Sequence, residues 1–239
     1  ALQMAVRLVY PPRCISCGEM VEEDFGLCGP CWRDTPFITG LVCDLCGVPL
    51  PGEDDGTPIH CDACLASARP WSRGRAAMRY DGNGRRLVLA LKHGDRHDVV
   101  HPAARWLARS AAPMLVPGMV IAPVPLHWTR LLARRFNQSA LLAQALGRET
   151  GTPVVPDLLL RQKRTQSLNG LDHEARHATL DAAIEVNPRH KNRIAGAQIL
   201  LVDDVMTSGA TFSAATQACF RGGAEDVCIL ALARAAGGP

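Results

Sequence analysis

Four Cys-x-x-Cys pairs stand within the first 64 residues: Cys14/Cys17, Cys28/Cys31, Cys43/Cys46 and Cys61/Cys64. They hold eight of the ten cysteines and restrict this part of the chain more than any core pattern does. A two-residue spacer lets one tight knuckle present two thiolates to a metal ion, and four thiolates complete a tetrahedral site. Gly18 and Gly47 directly follow a second cysteine, where a tight knuckle calls for a flexible backbone. Eight thiolates make two sites, so two zinc ions are expected. Sequential pairing joins Cys14, Cys17, Cys28 and Cys31, then Cys43, Cys46, Cys61 and Cys64. Interleaved pairing, as in cross-braced fingers, satisfies the same count. Four thiolates leave no open coordination position, so the zinc is expected to be structural.

A disulfide framework competes with this expectation, but it needs an oxidising compartment. Residues 1–12 lack the charged start and long apolar run of a signal peptide. A redox Cys-x-x-Cys is the other alternative, and four copies in succession favour metal. A cytoplasmic zinc module is therefore expected. Cys219 and Cys228 lie far away in an apolar helix and strand and are expected as inert core residues.

The chain of 239 residues suits one ordinary domain and one small one, with expected bounds 1–68 and 69–239. Its apolar content, 47%, is enough for a buried core, and no apolar run is long enough to insert in a membrane. A net charge of +3 does not describe a chain that binds nucleic acid through bulk charge.

Beyond residue 69, strand and helix patterns alternate. Strands are expected at 74–80, 120–125, 199–202 and 227–233, with extended pieces at 154–155 and 158–160. Helices are expected at 85–93, 101–115 and 137–149, the last capped by Asn137 and ended by Gly151. Asp81-Gly82-Asn83-Gly84 reads as a turn. Such alternation implies an α/β domain, a mainly parallel sheet flanked by helices. Ligands of these sheets bind beyond the strand C-termini, where loops 125–137, 161–178 and 203–211 should meet.

The last of these loops carries the most chemistry. Residues 199–211 read Ile-Leu-Leu-Val-Asp-Asp-Val-Met-Thr-Ser-Gly-Ala-Thr. A short buried strand feeds two acids, then a small-residue turn, then an amphipathic helix ended by Gly222-Gly223. Backbone N–H groups at a helix N-terminus converge on one place, and the helix dipole favours an anion there. Gly209 lets the backbone come close to it. Asp203 and Asp204 are too near the cradle to serve a phosphate, but two carboxylates are good acceptors for a vicinal diol. Ribose 5-phosphate is the simplest ligand with a phosphate and a diol so placed. An ordinary βα loop is the alternative for such a segment.

The other two loops are cationic. Arg130, Arg134 and Arg135 stand between a strand and a helix N-terminus. Arg161 and Arg164, with Arg176 following, stand in a Gly-containing loop suited to close over a polyanion. Lys92 is a further candidate cation. Taken singly, each arginine reads as solvated surface.

The segment Asp203, Asp204, Val205, Met206, Thr207, Ser208, Gly209, Ala210, Thr211 resembles the phosphoribosyl pyrophosphate (PRPP) motif of type I phosphoribosyltransferases. The whole chain resembles the ComF family, linked with natural competence, which joins an N-terminal double zinc ribbon to a phosphoribosyltransferase-like domain. The marks are Pro11-Pro12-Arg13-Cys14, Cys28-Gly29-Pro30-Cys31-Trp32, Leu91-Lys92-His93-Gly94, Pro123-Val124-Pro125-Leu126, Arg135-Phe136-Asn137-Gln138 and the 199–211 segment. The chain departs from the family in having Arg134-Arg135 for Arg-Gly, Leu168 for Gln and Thr179 for Asn.

The resemblance implies a type I phosphoribosyltransferase fold that binds PRPP with Mg²⁺. Asp203 and Asp204 would act at the ribose. Thr207, Ser208, Gly209, Ala210 and Thr211 would hold the 5-phosphate. Lys92, Arg130, Arg134, Arg135, Arg161, Arg164 and Arg176 would face the pyrophosphate. Transfer of the phosphoribosyl group to an unidentified acceptor is the expected reaction. A role in DNA uptake, with single-stranded DNA and DNA-uptake proteins as partners, is implied by the family alone. Two other functions compete: an adaptor that holds single strands, stacking bases on Trp32, Phe37, Trp71 and Phe136, and a sensor that binds PRPP or a nucleotide without turnover.

Overall fold

The structure, a computed structural model, describes residues 11–93, 96–126, 137–161 and 184–235. Two knuckles open the chain. Antiparallel bridges Arg13↔Met20 and Val42↔Pro49 flank the turns that carry Cys14/Cys17 and Cys43/Cys46. Gly18 N–H donates to Cys14 O at 2.9 Å and Gly47 N–H to Cys43 O at 2.8 Å, closing both turns. Both glycines have positive φ, +82° and +70°, which other residues rarely adopt. Helices α1 (Gly29–Asp34) and α2 (Asp62–Ala66) start directly after Cys28 and Cys61, their N-cap residues, and carry Cys31 and Cys64.

The larger part alternates as its pattern predicts. In chain order come β1 (Arg73–Arg79), α3 (Gly82–His93), α4 (Val100–Ala111), β2 (Val120–Pro123) and α5 (Gln138–Thr150). Then follow β3 (Leu159–Arg161), β4 (Ile184–Val186), α6 (Lys191–Ile194), β5 (Gln198–Met206), α7 (Ala210–Arg221) and β6 (Asp226–Arg234). The main sheet has the order β1-β6-β5-β2, and every neighbouring pair in it is parallel. Strands β3 and β4 form a separate antiparallel pair. The extended piece expected at 158–160 belongs there and not to the parallel sheet.

Alternation along the two central strands sends their side chains to opposite layers. Leu200 and Val202 of β5, with Leu230 and Leu232 of β6, pack with Leu87, Leu107 and Leu142 of α3, α4 and α5. Ile199, Leu201, Ile229 and Ala231 pack with Phe212, Ala215 and Cys219 of α7. Cys219 and Cys228 are both buried. The cluster under α7 also contains Cys43, Cys46, Cys64 and Trp71, so the second knuckle shares its apolar core with the sheet.

Three local expectations change. Strand β5 runs through both acids to Met206 instead of stopping at Val202. Continued pairing is the reason: Asp203 lies opposite Ala231, Val205 opposite Ala233 and Met206 opposite Arg234. The stretch expected as a turn at 81–84 falls mostly in the first turn of α3. Buried Asn83 there donates to Cys31 O at 3.2 Å and Thr35 Oγ1 at 2.8 Å. Gly84 is pressed against Arg79 O, where a Cβ has no room. A tertiary contact thus overrides the turn preference of the local sequence. Helix α4 ends at Ala111, short of Leu115.

The caps of α5 follow expectation. Asn137 accepts from Ser139 N at 3.0 Å and Ala140 N at 3.4 Å, and Gly151 closes the helix with φ +70°.

Candidate functional site

The sulfur atoms of Cys14, Cys17, Cys28 and Cys31 converge, as do those of Cys43, Cys46, Cys61 and Cys64, each set within 4.8 Å. Sequential pairing is therefore the arrangement adopted. All eight are free thiols. A tetrahedron with Zn–S bonds of about 2.3 Å has edges of about 3.8 Å. Cys17 Sγ and Cys28 Sγ are 3.6 Å apart, and Cys46 Sγ and Cys61 Sγ 3.7 Å. The donor sets fit two structural zinc ions.

The first site rests on the start of α3. Ser16 Oγ bonds Asn83 Oδ1, and Arg96 Nη2 donates to Ile15 O at 2.9 Å. The second rests on β1. Asp44, inside its knuckle, pairs with Arg75 and with Arg73, whose Nε is 3.3 Å away. Burial raises the Asp44 pKa, but the two guanidiniums outweigh it and hold it below the ordinary carboxylate value. Gly74 passes so close to Leu45 O that a Cβ could not be placed.

At the C-terminal end of β5 the two acids take different partners. Asp203 Oδ1 accepts from Ser139 Oγ at 2.7 Å and from Asp204 N–H at 2.8 Å. Asp204 Oδ1 lies 3.2 Å from Lys92 Nζ, with both side chains largely buried. Burial first, and then the adjacent Asp204 carboxylate, push the Asp203 pKa up to about 7. A cavity of about 280 Å³ opens here, lined by Lys92, Arg161, Asp203, Asp204, Thr207 and Thr211, with Tyr80 at its wall. A larger hollow of about 520 Å³ lies between the second knuckle and the end of α4. Its Asp44, Arg73 and Arg75 are already paired with one another.

The loop after β5 is tethered from behind. Met206 O accepts from Ala235 N at 2.9 Å and from Arg234 Nη1 at 3.2 Å. Thr207 O accepts from Arg234 Nη1 at 2.8 Å, and Ser208 O from Arg69 Nη1 at 2.9 Å. Gly209 O accepts from Ser213 N at 2.8 Å. Four successive carbonyls are thus engaged. At the start of α7 the Ala210 N–H donates to Ser208 Oγ at 3.4 Å, and the N–H groups of Thr211 and Phe212 have no acceptor within the helix. Gly209 sits at φ +86°, and a Cβ there would stand 3.0 Å from Met206 Cε and Trp71 Cη2.

Of the residues singled out in the sequence, the fold gathers Asp203, Asp204, Lys92, Arg161 and the 207–211 loop. Arg130, Arg134, Arg135, Arg164, Arg176 and Phe136 lie outside the described residues. Four contributors carried no recognisable motif: Ser139, Tyr80, Arg69 and Arg234. Arg234 has a faint signal, as the one charge closing the apolar run of β6. Trp71, an aromatic available for base stacking on sequence grounds, is 2% exposed and donates from Nε1 to Leu45 O at 2.6 Å. Trp32 is exposed and tilted on Phe37. No helix among the described residues is long and apolar enough to cross a membrane.

A family model described as a double zinc ribbon domain matches residues 5–72. The chain is 30% identical over 234 residues to DNA utilization protein YhgH of Salmonella typhimurium, covering 95% of this chain and 99% of that protein. It is 28% identical over 230 residues to Competence protein F of Haemophilus influenzae, covering 93% and 97%. Competence protein ComFC of Bacillus subtilis matches at 24% over 202 residues, covering 80% and 77%. Among solved structures, a glutamine PRPP amidotransferase from B. subtilis complexed with ADP and GMP overlaps 61% of this chain and 30% of that one. Its sequence identity is 13% and the TM-score 0.43.

Proposed function

The chain belongs to the ComF family, and on that premise we propose that it binds PRPP with Mg²⁺ and transfers the phosphoribosyl group to an acceptor. The observation that carries this is the placement of the acid pair and the cradle on one cavity wall, Asp203 and Asp204 beside Thr207 and Thr211. A diol-binding pair and a phosphate-binding loop one step apart match the two ends of a ribose 5-phosphate. The relatives' names, DNA utilization protein and Competence protein F, support placing this chemistry in the handling of incoming DNA.

In this mechanism the loop N–H groups and the α7 N-terminus hold the 5-phosphate. Asp203 and Asp204 accept hydrogen bonds from the ribose hydroxyls and favour the positive charge that develops at the anomeric carbon. The bond from that carbon to pyrophosphate breaks, its electron pair leaves with the pyrophosphate, and a bond to the acceptor forms. Lys92 and Arg161 face the cavity, and with Arg130, Arg134, Arg135, Arg164 and Arg176 they neutralise the leaving group. The oxygen donors of Asp203 and Asp204 suit a hard cation. Mg²⁺ supplies further neutralisation of the pyrophosphate when bound.

The test has two arms. Calorimetric titration should show Mg²⁺-dependent PRPP binding that the double variant Asp203→Asn, Asp204→Asn abolishes. Pyrophosphate release with PRPP and a panel of nucleobases should then show turnover. Equal PRPP affinity in both proteins, or none in the wild type, sinks the proposal. Binding without pyrophosphate release across the panel makes the protein a PRPP sensor.

A further inference from the structure

Two stacked residues of the linker that follows the zinc ribbons join the second zinc site to the small-residue loop after β5. Trp71 donates from Nε1 to Leu45 O at 2.6 Å, and Leu45 lies inside the knuckle between Cys43 and Cys46. The same indole packs edge-on against Phe212 of α7, ring centroids 6.3 Å apart. Its Cη2 sits against Gly209, closing the space in which a side chain would stand. Arg69 lies over the Trp71 ring at 5.7 Å and donates to Ser208 O at 2.9 Å. So Ser208 leans on Arg69, Arg69 and Gly209 lean on Trp71, and Trp71 leans on the knuckle. The first zinc site is held differently, through Asn83 and Arg96.

We propose that Arg69 and Trp71 form a clasp through which the second zinc knuckle positions the phosphate cradle, so that zinc site and cradle sense one another. Arg69 is a positioning residue: it bonds a carbonyl of the loop and acts on the ligand through the N–H groups that carbonyl's tethering leaves exposed. The inference rests on the proposal that the 207–211 loop binds phosphate. A coupling of this kind between two sites is reciprocal.

The test uses full-length protein loaded with ¹¹³Cd, with ribose 5-phosphate as the probe. Two four-sulfur resonances are assigned through correlations to the cysteine β-protons. On saturation with ribose 5-phosphate, the resonance of Cys43, Cys46, Cys61 and Cys64 should move and the other should stay. Arg69→Ala should weaken ribose 5-phosphate binding about tenfold, as loss of a charged hydrogen bond does. It should also leave both resonances still at saturation. Trp71→Phe keeps the ring but loses the bond to Leu45 O, and it should reduce the shift while retaining part of the affinity. Wild-type protein that binds the probe with neither resonance moving overturns the clasp alone. So does an Arg69→Ala variant that keeps both affinity and shift. Wild-type protein that binds neither ribose 5-phosphate nor PRPP overturns the phosphate site, and the clasp with it.

Discussion

Lys92 Nζ lies 3.2 Å from Asp204 Oδ1, at the far end of the helix whose first turn is bonded to the first zinc knuckle through Asn83. The ammonium offsets one of two adjacent carboxylates, while Asp203 relies on the Ser139 hydroxyl and a backbone N–H. Lys92→Met should therefore shift two affinities in opposite directions. Mg²⁺ alone should bind more tightly, because the acid pair is more negative. PRPP should bind more weakly, because its pyrophosphate loses a cation. Each change is expected near 1 kcal/mol, about fivefold, for a pair that keeps some solvent contact. Titrations of both ligands decide it, and parallel changes contradict the assignment.

The acid pair also predicts a pH dependence. Asp203 has a folded pKa of about 7, raised by burial and by Asp204, against about 3.9 in an unfolded chain. The folded protein keeps a proton that the unfolded chain gives up. The stability linked to this group is full below about pH 4 and is lost as pH rises through about 7. Melting curves between pH 5 and 8, without added Mg²⁺, should show a steeper fall of Tm with pH in the wild type than in Asp203→Asn. Parallel slopes in the two proteins refute it.

Removing zinc should reach beyond the ribbons. Cys43, Cys46 and Cys64 share one apolar cluster with Phe212, Ile229 and Ala231. Structural zinc is worth roughly 10–16 kcal/mol in zinc-finger peptides. Elemental analysis should find two zinc ions per chain. Chelation should remove hydrogen-exchange protection from Ile229 and Ala231 together with that of the knuckles. Protection in β6 that outlasts both metals contradicts a shared core.

Arg234→Met keeps much of the volume and deletes the donors to Met206 O and Thr207 O. Met206 O keeps its bond from Ala235 N, so Thr207 O is the carbonyl left unpartnered, at a cost of roughly 1–3 kcal/mol. The variant should melt earlier and bind ribose 5-phosphate at least tenfold more weakly. Unchanged affinity shows that the loop holds its shape without the arginine.

Gly74→Ala tests how the second knuckle is docked. A Cβ there falls on Leu45 O, so the strand and knuckle must separate. Stability should drop by roughly 1–3 kcal/mol, as overpacking does. A crystal structure of the variant should show the knuckle displaced from β1. A knuckle held in place at full stability counts against tight docking.

What the sequence disclosed and what it hid divide by distance along the chain. The cysteine knuckles, the Asn137 cap and the Gly151 terminus depend on neighbours within a few residues, and all were legible. So was the small-residue loop at the start of α7. The length of β5 was not, because its last residues stay in the strand through β6, which begins some twenty residues later. Asn83 reads as a turn residue until Cys31 and Thr35 are beside it. Arg69 meets Ser208 across 139 residues, and no local pattern marks it. Ser139 was visible only as part of a helix start, and its bond to Asp203 spans 64 residues.

The tethered carbonyls of residues 206–209 have a kinetic consequence. Turning any of these peptides toward the cavity breaks a bond to Arg69, Arg234, Ala235 or Ser213. In the proposed phosphate-binding role the loop is therefore preformed, and an arriving anion has no backbone flip to wait for. Association should follow a single phase, linear in ligand concentration and quicker at low salt. Any slow step seen with PRPP then belongs to a motion elsewhere in the protein or to the departure of product.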